Sequence, residues 1–363
     1  MRIAILTQPL RYNIGGLLQN YALQQVLIRL GHKPVTLDPD PYRHVSCGII
    51  FKRIILKLFG RINKIFIERE INRKPYILGK YTEQFIKKYI KIKRYDFNEQ
   101  NKLLNHNAYI IGSDQVWRPK YNRGRLDNMF LDFTEGRSVK RIAYAASFGT
   151  DEWEFTEDQR QLYSLLLKKF DAISVREKSA VQICKEKFDV EVVFVLDPTL
   201  LLEKNDYIEI IKKEKESKSV GDLLVYFLDD SEDKQLLVNT VANDYSLKSF
   251  YVNNQIYKKD IVPQIPVSKW LRGFYDAKCV ITDSFHACVF AIIFNKPFIL
   301  YANMERGFSR YQSLFDSLGI KNCMVFNSEE YNCMPIFDYE QINNKLHILQ
   351  FNSIHFLKHA LEN

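Results

Sequence analysis

The sequence predicts an α/β protein of two domains, each a parallel sheet covered by helices, opposed across a cleft. Three observations predict it. Apolar runs of strand length alternate with helix-length segments along nearly the whole chain, the pattern of parallel βα units. At 363 residues the chain is too long for one ordinary core and suits two domains of roughly 150 to 200 residues. A charged helix, Asn205 to Ser219, interrupts the alternation and reads as a linker, dividing the chain into 1–204 and 205–363.

The totals narrow the class. A hydrophobic fraction of 46% with 26% charge is that of a soluble globular protein, and 14 Gly with 11 Pro leave little room for long disordered segments. Six Cys are scattered without a CxxC pair, and Cys279 and Cys288 lie in apolar runs. They are expected to be reduced thiols, not a disulfide frame or a zinc site. The start, MRIAILTQPL, lacks a signal-peptide core, and no run approaches 18 apolar residues. A cytoplasmic protein is expected, with no spanning helix. The net charge of +9 is local: Phe51 to Arg94 holds 14 Lys/Arg against 3 Asp/Glu, leaving 38 basic and 40 acidic residues elsewhere. Such confinement speaks of one surface and argues against nucleic-acid binding.

In order, Arg2 to Thr7 is a strand, and the loop Gln8 to Gly16 leads into a helix. Leu17, Tyr21, Leu23, Leu27 and Leu30 lie near one stripe of that helix, and Gly31 ends it. Pro34 to Leu37 is the next strand. Segment 49–94 is a basic helical insertion. Ile50, Ile54, Ile55, Leu58, Ile62, Ile65 and Phe66 share a face, with Lys52, Arg53, Lys57, Arg61 and Lys64 elsewhere on the wheel. That helix could lie on an anionic membrane surface or cover the sheet with its cations solvated. Thr82 to Lys93 is a second basic helix. Strands follow at 108–111, 141–146, 172–175 and 192–196, with helices at 157–170 and 178–188. The second half repeats the scheme: strands at 223–228, 249–252, 279–282, 297–301 and 322–325, helices at 232–245, 267–275, 287–294 and 310–318, and a terminal helix at 339–361.

Function is expected at strand exits, because ligands of parallel sheets bind beyond the strands' carboxyl ends, where helix N-termini offer free N–H groups. Asn13, Gly15 and Gly16 follow the first strand and permit close approach of a ligand, or simply a tight turn; no dinucleotide or P-loop glycine pattern is present. Ser113, Asp114 and Gln115 follow the strand at 108–111, where Asp114 is a candidate base or a turn-forming Asp. Arg176 and His286 each stand at a strand exit and helix entrance, one in each half. Ser284 and Phe285 precede His286, and Asp283 or Ser284 could equally be a plain helix cap.

Taken together these motifs resemble the polysaccharide pyruvyl transferase family. The resemblance rests on Asn13-Ile14-Gly15-Gly16 with Leu18-Gln19-Asn20-Tyr21-Ala22-Leu23-Gln24, on Gly112 to Trp117, and on Ser174-Val175-Arg176-Glu177. It continues in Leu196 to Leu201, Asp283-Ser284-Phe285-His286, Asn295-Lys296-Pro297-Phe298 and Ser309-Arg310. It implies a GT-B-like pair of Rossmann-like domains. It also implies transfer of an enolpyruvyl unit from phosphoenolpyruvate to a sugar as a pyruvate ketal, in bacterial polysaccharide biosynthesis. Arg176 and His286 match the positions that bind the donor; many relatives carry Arg where Ser284 stands. The family setting, capsule or cell-wall glycan assembly, implies a lipid-linked acceptor at the inner membrane face, with 49–94 as a peripheral contact. Phosphoenolpyruvate carries a phosphate and a carboxylate, for which arginine is the fitted partner. The expected roles are His286 as general acid or phosphate anchor, Arg176 as clamp, Lys296 or Arg310 completing the anion site, and Asp114 accepting the hydroxyl proton. No metal or other cofactor is required by this scheme. The nearest rival on the same fold is a nucleotide-sugar glycosyltransferase.

Overall fold

The computed structural model describes residues 1–59, 61–62, 64–95, 105–253, 261–304 and 307–362. Among these residues two all-parallel sheets carry the fold. The first has seven strands in the order β3-β2-β1-β4-β5-β6-β7: β1 Arg2–Leu6, β2 Lys33–Pro39, β3 Ile92–Tyr95, β4 Ala108–Ile111, β5 Lys140–Ala146, β6 Ala172–Val175 and β7 Val193–Phe194. The second has five, in the order β12-β11-β10-β8-β9: β8 Leu223–Tyr226, β9 Ser249–Tyr251, β10 Cys279–Thr282, β11 Phe298–Tyr301 and β12 Met324–Val325.

The central strands are covered on both faces, so they read as unbroken apolar runs; AYII in β4, LLVY in β8 and CVIT in β10 are buried at every position. In each sheet the chain reverses its direction of travel once. The reversal falls between β1 and β4 in the first sheet and between β8 and β10 in the second. A crevice opens at such a point, because the helices after neighbouring strands leave to opposite faces.

The helices serving these crevices are α1 Ile14–Arg29 after β1 and α10 Phe285–Ile293 after β10. All nine residues of α10 are buried, and α1 is buried on most of its circumference. Three polar residues of α1 are therefore inside and bonded. Gln24 Nε2 donates to Thr36 Oγ1 at 2.8 Å, and Thr36 Oγ1 to Asn20 Oδ1 at 2.8 Å, while Gln19 reaches the candidate site. The remaining helices are α2 Cys47–Leu58, α3 Ile67–Leu78, α4 Lys80–Tyr89, α5 Glu157–Leu167, α6 Lys178–Ile183, α7 Lys204–Lys213, α8 Glu232–Asp244, α9 Val267–Asp276, α11 Phe308–Leu318 and α12 Tyr339–Glu362. α12 returns to the first half: Ser353 Oγ accepts from Leu196 N at 3.0 Å, and Gln350 Nε2 donates to Leu200 O at 2.6 Å.

The basic insertion departs from expectation in two places. The amphipathic stripe predicts one helix over 50–66, but α2 ends at Leu58 and a separate α3 begins at Ile67. Arg53 donates across this corner to the Glu68 carboxylate at 2.7 Å. The predicted second basic helix ends at Tyr89, and Ile92–Tyr95 is instead the edge strand of the first sheet, paired with Thr36–Pro39. That edge slot is set by a distant partner, a cue the local charge pattern does not carry. Expected strands at 192–196 and 322–325 shrink to two residues each. The charged helix expected over 205–219 is α7, which ends at Lys213 and buries Tyr207, Ile210 and Ile211.

Candidate active site

Two turns meet across the cleft. At the first, Asn13 caps α1, its Oδ1 accepting the Gly16 N–H at 3.3 Å. Gly15 has no side chain because His286 fills that space: a Cβ there would lie 2.2 Å from the imidazole Nδ1. At the second turn, Ser284 holds the N-cap position of α10 without a side-chain cap bond. Thr282 Oγ1 accepts the Ser284 N–H at 3.0 Å. Asp283 is pulled aside, accepting from Leu228 N at 2.7 Å and from the buried Lys234 ammonium at 2.6 Å. Lys234 thus fixes the exit of β10 and leaves the start of α10 facing the cleft.

Behind these turns lies an ionic cluster. Arg176 leaves the end of β6 with its guanidinium almost wholly buried. Its Nη1 donates to Asp197 Oδ2 at 2.8 Å and its Nη2 to Asp114 Oδ1 at 3.0 Å, while Glu177 Oε2 stands 3.9 Å from its Nε. Asp197 also accepts from Gln19 Nε2 and, at 2.7 Å, from Thr199 Oγ1. His286 Nε2 lies 3.9 Å from Asp197 Oδ2 and has no hydrogen-bond partner among the described residues. The Phe285 ring separates the two arginines, with the Arg176 guanidinium 5.4 Å and that of Arg310 5.5 Å from its centroid. Arg310 opens α11 against Gly307, whose left-handed φ of 73° and missing Cβ make room for it. Asp114 is itself in left-handed backbone, φ 80°, a strain of about 1–3 kcal/mol for a residue with a side chain. A bridge to Ala146 and the bond from Thr7 Oγ1 to Ser113 O at 2.7 Å hold it there.

Burial and charge set the protonation states. Burial drives His286 down to about 4, against the pull of Asp197 upward, so the imidazole is neutral at pH 7. Burial alone would raise Asp114 and Asp197. Arg176 and His286, joined by Arg310 at Asp114 and by Thr199 at Asp197, outweigh it and hold both below the usual carboxylate range. Arg310 is lowered by burial and by Arg176.

The cleft has a volume of about 1330 Å³. Of the residues expected from the sequence, Asn13, Gly15, Asp114, Gln115, Ser284, Phe285, His286 and Arg310 line it. Arg176 is one layer behind. Gly16 contributes its N–H to the Asn13 cap, and Ser113 is buried with its carbonyl turned to Thr7. Lys296 is elsewhere: it precedes β11, at the amino end of the sheet, and its Nζ donates to Tyr275 O at 3.0 Å. A site at the carboxyl ends of strands is out of reach from there. Three residues of the cluster were seen in the sequence only as motif letters: Gln19, Glu177 and Asp197. The run Arg118, Lys120, Arg123, Arg125, which follows the Gly112–Trp117 loop, also lines the cleft. Its charge density was the signal that could have flagged it. Among the described residues no group of three or more His, Cys, Asp or Glu is placed to hold a metal.

Two parallel-sheet domains with a polar cluster between their reversal points define a GT-B-type α/β protein. One solved structure agrees on the fold, and two others are similar at lower scores. Arabidopsis thaliana UGT89C1 complexed with UDP-L-rhamnose is 7% identical, with a TM-score of 0.53 over 98% of each chain. A putative UDP-N-acetylglucosamine 2-epimerase of Listeria monocytogenes is 11% identical, with a TM-score of 0.48 over 99% of this chain and 90% of its own. UDP-GlcNAc 2-epimerase of Neisseria meningitidis bound to UDP-GlcNAc is 10% identical, with a TM-score of 0.46 over the full length of both chains. No curated protein matches the sequence. The family model for polysaccharide pyruvyl transferase matches residues 13–305. The chain belongs to that family and is a transferase acting in polysaccharide pyruvylation.

Proposed function

We propose that the protein transfers an enolpyruvyl unit from phosphoenolpyruvate to two hydroxyls of a sugar on a growing bacterial glycan, leaving a pyruvate ketal. The observation that carries this reading is the meeting of His286 with Gly15. It joins an imidazole, the N-terminus of α1, Arg310 and an ionised Asp114 at one place in the cleft. A trianionic donor finds there the donors it needs.

The scheme balances. A proton adds to the terminal methylene carbon of the donor, making it a methyl group and building oxocarbenium character on the neighbouring carbon. The first sugar hydroxyl attacks that carbon and gives up its proton towards Asp114. The C–O bond to phosphate then breaks, phosphate leaving with the electron pair, and the second hydroxyl closes the ring. The two hydroxyl protons are accounted for by the new methyl group and the released hydrogen phosphate. In this reading His286 donates the proton or holds the phosphate, and Arg310 faces the carboxylate. Arg176, buried between Asp114 and Asp197, acts through them as a positioning residue. Acid–base groups of this kind typically contribute about 10²- to 10⁴-fold each.

The acceptor is proposed to be lipid-linked, with α2 and α3 resting on an anionic inner-membrane surface. α2 has no buried residue, and Phe51, Leu58 and Phe59 are among its exposed apolar side chains and those at its end. Each cation near such a surface adds about 1 kcal/mol, so Lys52, Lys57 and Arg61 act together. No described helix is long and apolar enough to cross a membrane.

The test is phosphate release from phosphoenolpyruvate across a panel of glycosyl acceptors, with His286→Ala beside the wild type. Acceptor-dependent release that falls at least tenfold in the variant is expected. Release of a nucleoside diphosphate from a sugar nucleotide, with phosphoenolpyruvate inert, would make the protein a glycosyltransferase instead.

A further inference from the structure

One wall of the cleft carries an aromatic ring that the reaction scheme leaves unused. The loop after β4 presents Asp114, Gln115, Arg118 and Tyr121 to the cavity. Asp114 and Arg118 are buried, whereas 49% of Tyr121 is exposed. A half-exposed tyrosine is ordinary on a protein surface. One that lines a cleft and is held from behind by buried polar groups is not.

The Arg118 guanidinium lies over the Tyr121 ring, 4.8 Å from its centroid. It is itself fixed: Nε and Nη2 donate to Glu154 Oε1 at 3.1 and 2.9 Å, and Nη1 to Gln115 Oε1 at 3.3 Å. Gln115 in turn fills the space that a Cβ on Gly149 would need. The backbone is pinned as firmly. Pro119–Tyr121 form a single 3₁₀ turn, with Tyr121 N donating to Arg118 O at 3.1 Å. Asn122 is fully buried; its Nδ2 donates to the carbonyls of Gln115, Val116 and Arg118, and its Oδ1 accepts from Gln8 Nε2 at 3.1 Å. The ring therefore has one face against a guanidinium and its open side towards the cleft. It is ordered before any ligand arrives, and a preorganised contact spares the entropy of ordering it on binding.

The chemistry of such a face selects its occupant. An aromatic face is negative and its edge positive, so the face repels phosphate and carboxylate groups. A pyranose is neutral and turns one face of polarised C–H bonds outward; that face meets the ring while the hydroxyls stay at the rim. The cleft volume of about 1330 Å³ exceeds the roughly 300–1,000 Å³ of ordinary small-molecule pockets, leaving room for a sugar beside a three-carbon donor. We propose that Tyr121, held by Arg118 and Glu154, is the stacking platform for the pyranose ring that receives the ketal. The inference rests on the reaction site proposed above. A sugar stacked on Tyr121 lies against the wall that also bears Asp114, the group that takes the first hydroxyl's proton in that reading.

The experiment is saturation-transfer difference NMR on the full-length protein with methyl β-D-galactopyranoside, methyl β-D-glucopyranoside and UDP as probes, each with and without phosphoenolpyruvate. Irradiating the protein's aromatic protons is expected to saturate the ring C–H protons of at least one glycoside. In Tyr121→Ala that transfer should fall to background and the apparent glycoside affinity should drop about tenfold, the order of one aromatic contact. Tyr121→Phe should keep both, since a stacking face needs no hydroxyl. Unchanged circular dichroism shows that the variants are folded. Transfer that survives in Tyr121→Ala, that is lost in Tyr121→Phe, or that reaches the uracil of UDP and neither glycoside overturns the platform, as does the absence of any transfer with the wild type. If phosphoenolpyruvate fails to bind while Tyr121-dependent transfer to a glycoside persists, the platform stands and the donor reading fails.

Discussion

His286 gives the site a measurable acid sensitivity. Its folded value of about 4 stands against an ordinary imidazole at 6.5. Between those values the unfolded chain binds the proton and the folded protein refuses it. Stability from this group is therefore complete above pH 6.5 and is lost as the pH falls towards 4. The gap is about two and a half pKa units, each worth about 1.4 kcal/mol, or about 3 kcal/mol in all. His286→Gln removes the titration and keeps a polar side chain of related size. Urea unfolding of both proteins from pH 8 to pH 4 isolates the effect, because Asp114 and Asp197 remain in each. The free-energy difference between wild type and variant should move by about 3 kcal/mol across that range, against the wild type at the acid end. Curves that stay parallel within about 0.5 kcal/mol would refute a buried neutral imidazole and with it the electrostatics drawn for the cleft.

Asp38 has the opposite sign: burial raises it to about 7, so it costs stability increasingly as pH climbs from about 4 to 7. Asp38→Asn keeps an oxygen for Leu10 N and should stabilise at pH 8 by up to about 4 kcal/mol, with no gain below pH 4; denaturant midpoints at the two pH values decide. Gly15→Ala drives a methyl group into the imidazole and should cut turnover by about 10²-fold, the scale of a misplaced catalytic group, with circular dichroism unchanged; wild-type turnover would remove His286 from the chemistry. Arg176→Met strands Asp114 and Asp197 and should cost about 3–5 kcal/mol in urea unfolding; a loss under 1 kcal/mol would mean the carboxylates re-solvate. Phosphoenolpyruvate binding should take up a proton near pH 6, read as a calorimetric heat that varies with buffer ionisation enthalpy; a buffer-independent heat contradicts it.

The architecture was legible because buried parallel strands announce themselves as apolar runs, and β4, β8 and β10 carry no polar residue before their exits except Thr282 and the tyrosines. The strand-exit rule then located Asp114 and His286 beside the cleft from sequence alone. What stayed hidden depends on partners far along the chain. β3 exists because β2 offers it an edge, and no local pattern in Ile92–Tyr95 records that. Lys296 lies one residue before a strand's entry proline, so counting motifs could not tell the amino end of the sheet from the carboxyl end; placing it on the strand could have. Arg176 was visible as a cation at a strand exit, but not that two carboxylates, one 62 and one 21 positions away, would enclose it.

That enclosure changes what the cluster can do. Arg176 and Arg310 supply two positive charges; Asp114, Asp197 and Glu177 face them, burial raises Glu177, and Arg176, bonded to both aspartates, helps to hold them below the usual carboxylate range. With a neutral imidazole the two arginines are matched by the carboxylates that face them, and the cluster offers no net attraction to a trianion. An anion entering beside His286 adds what the imidazole lacks, a negative charge next to the ring, and opposes the desolvation that keeps the proton off. Donor arrival and protonation of His286 are then one linked event. On the proposed donor placement the substrate makes the acid that protonates it, and a low resting pKa is compatible with that role.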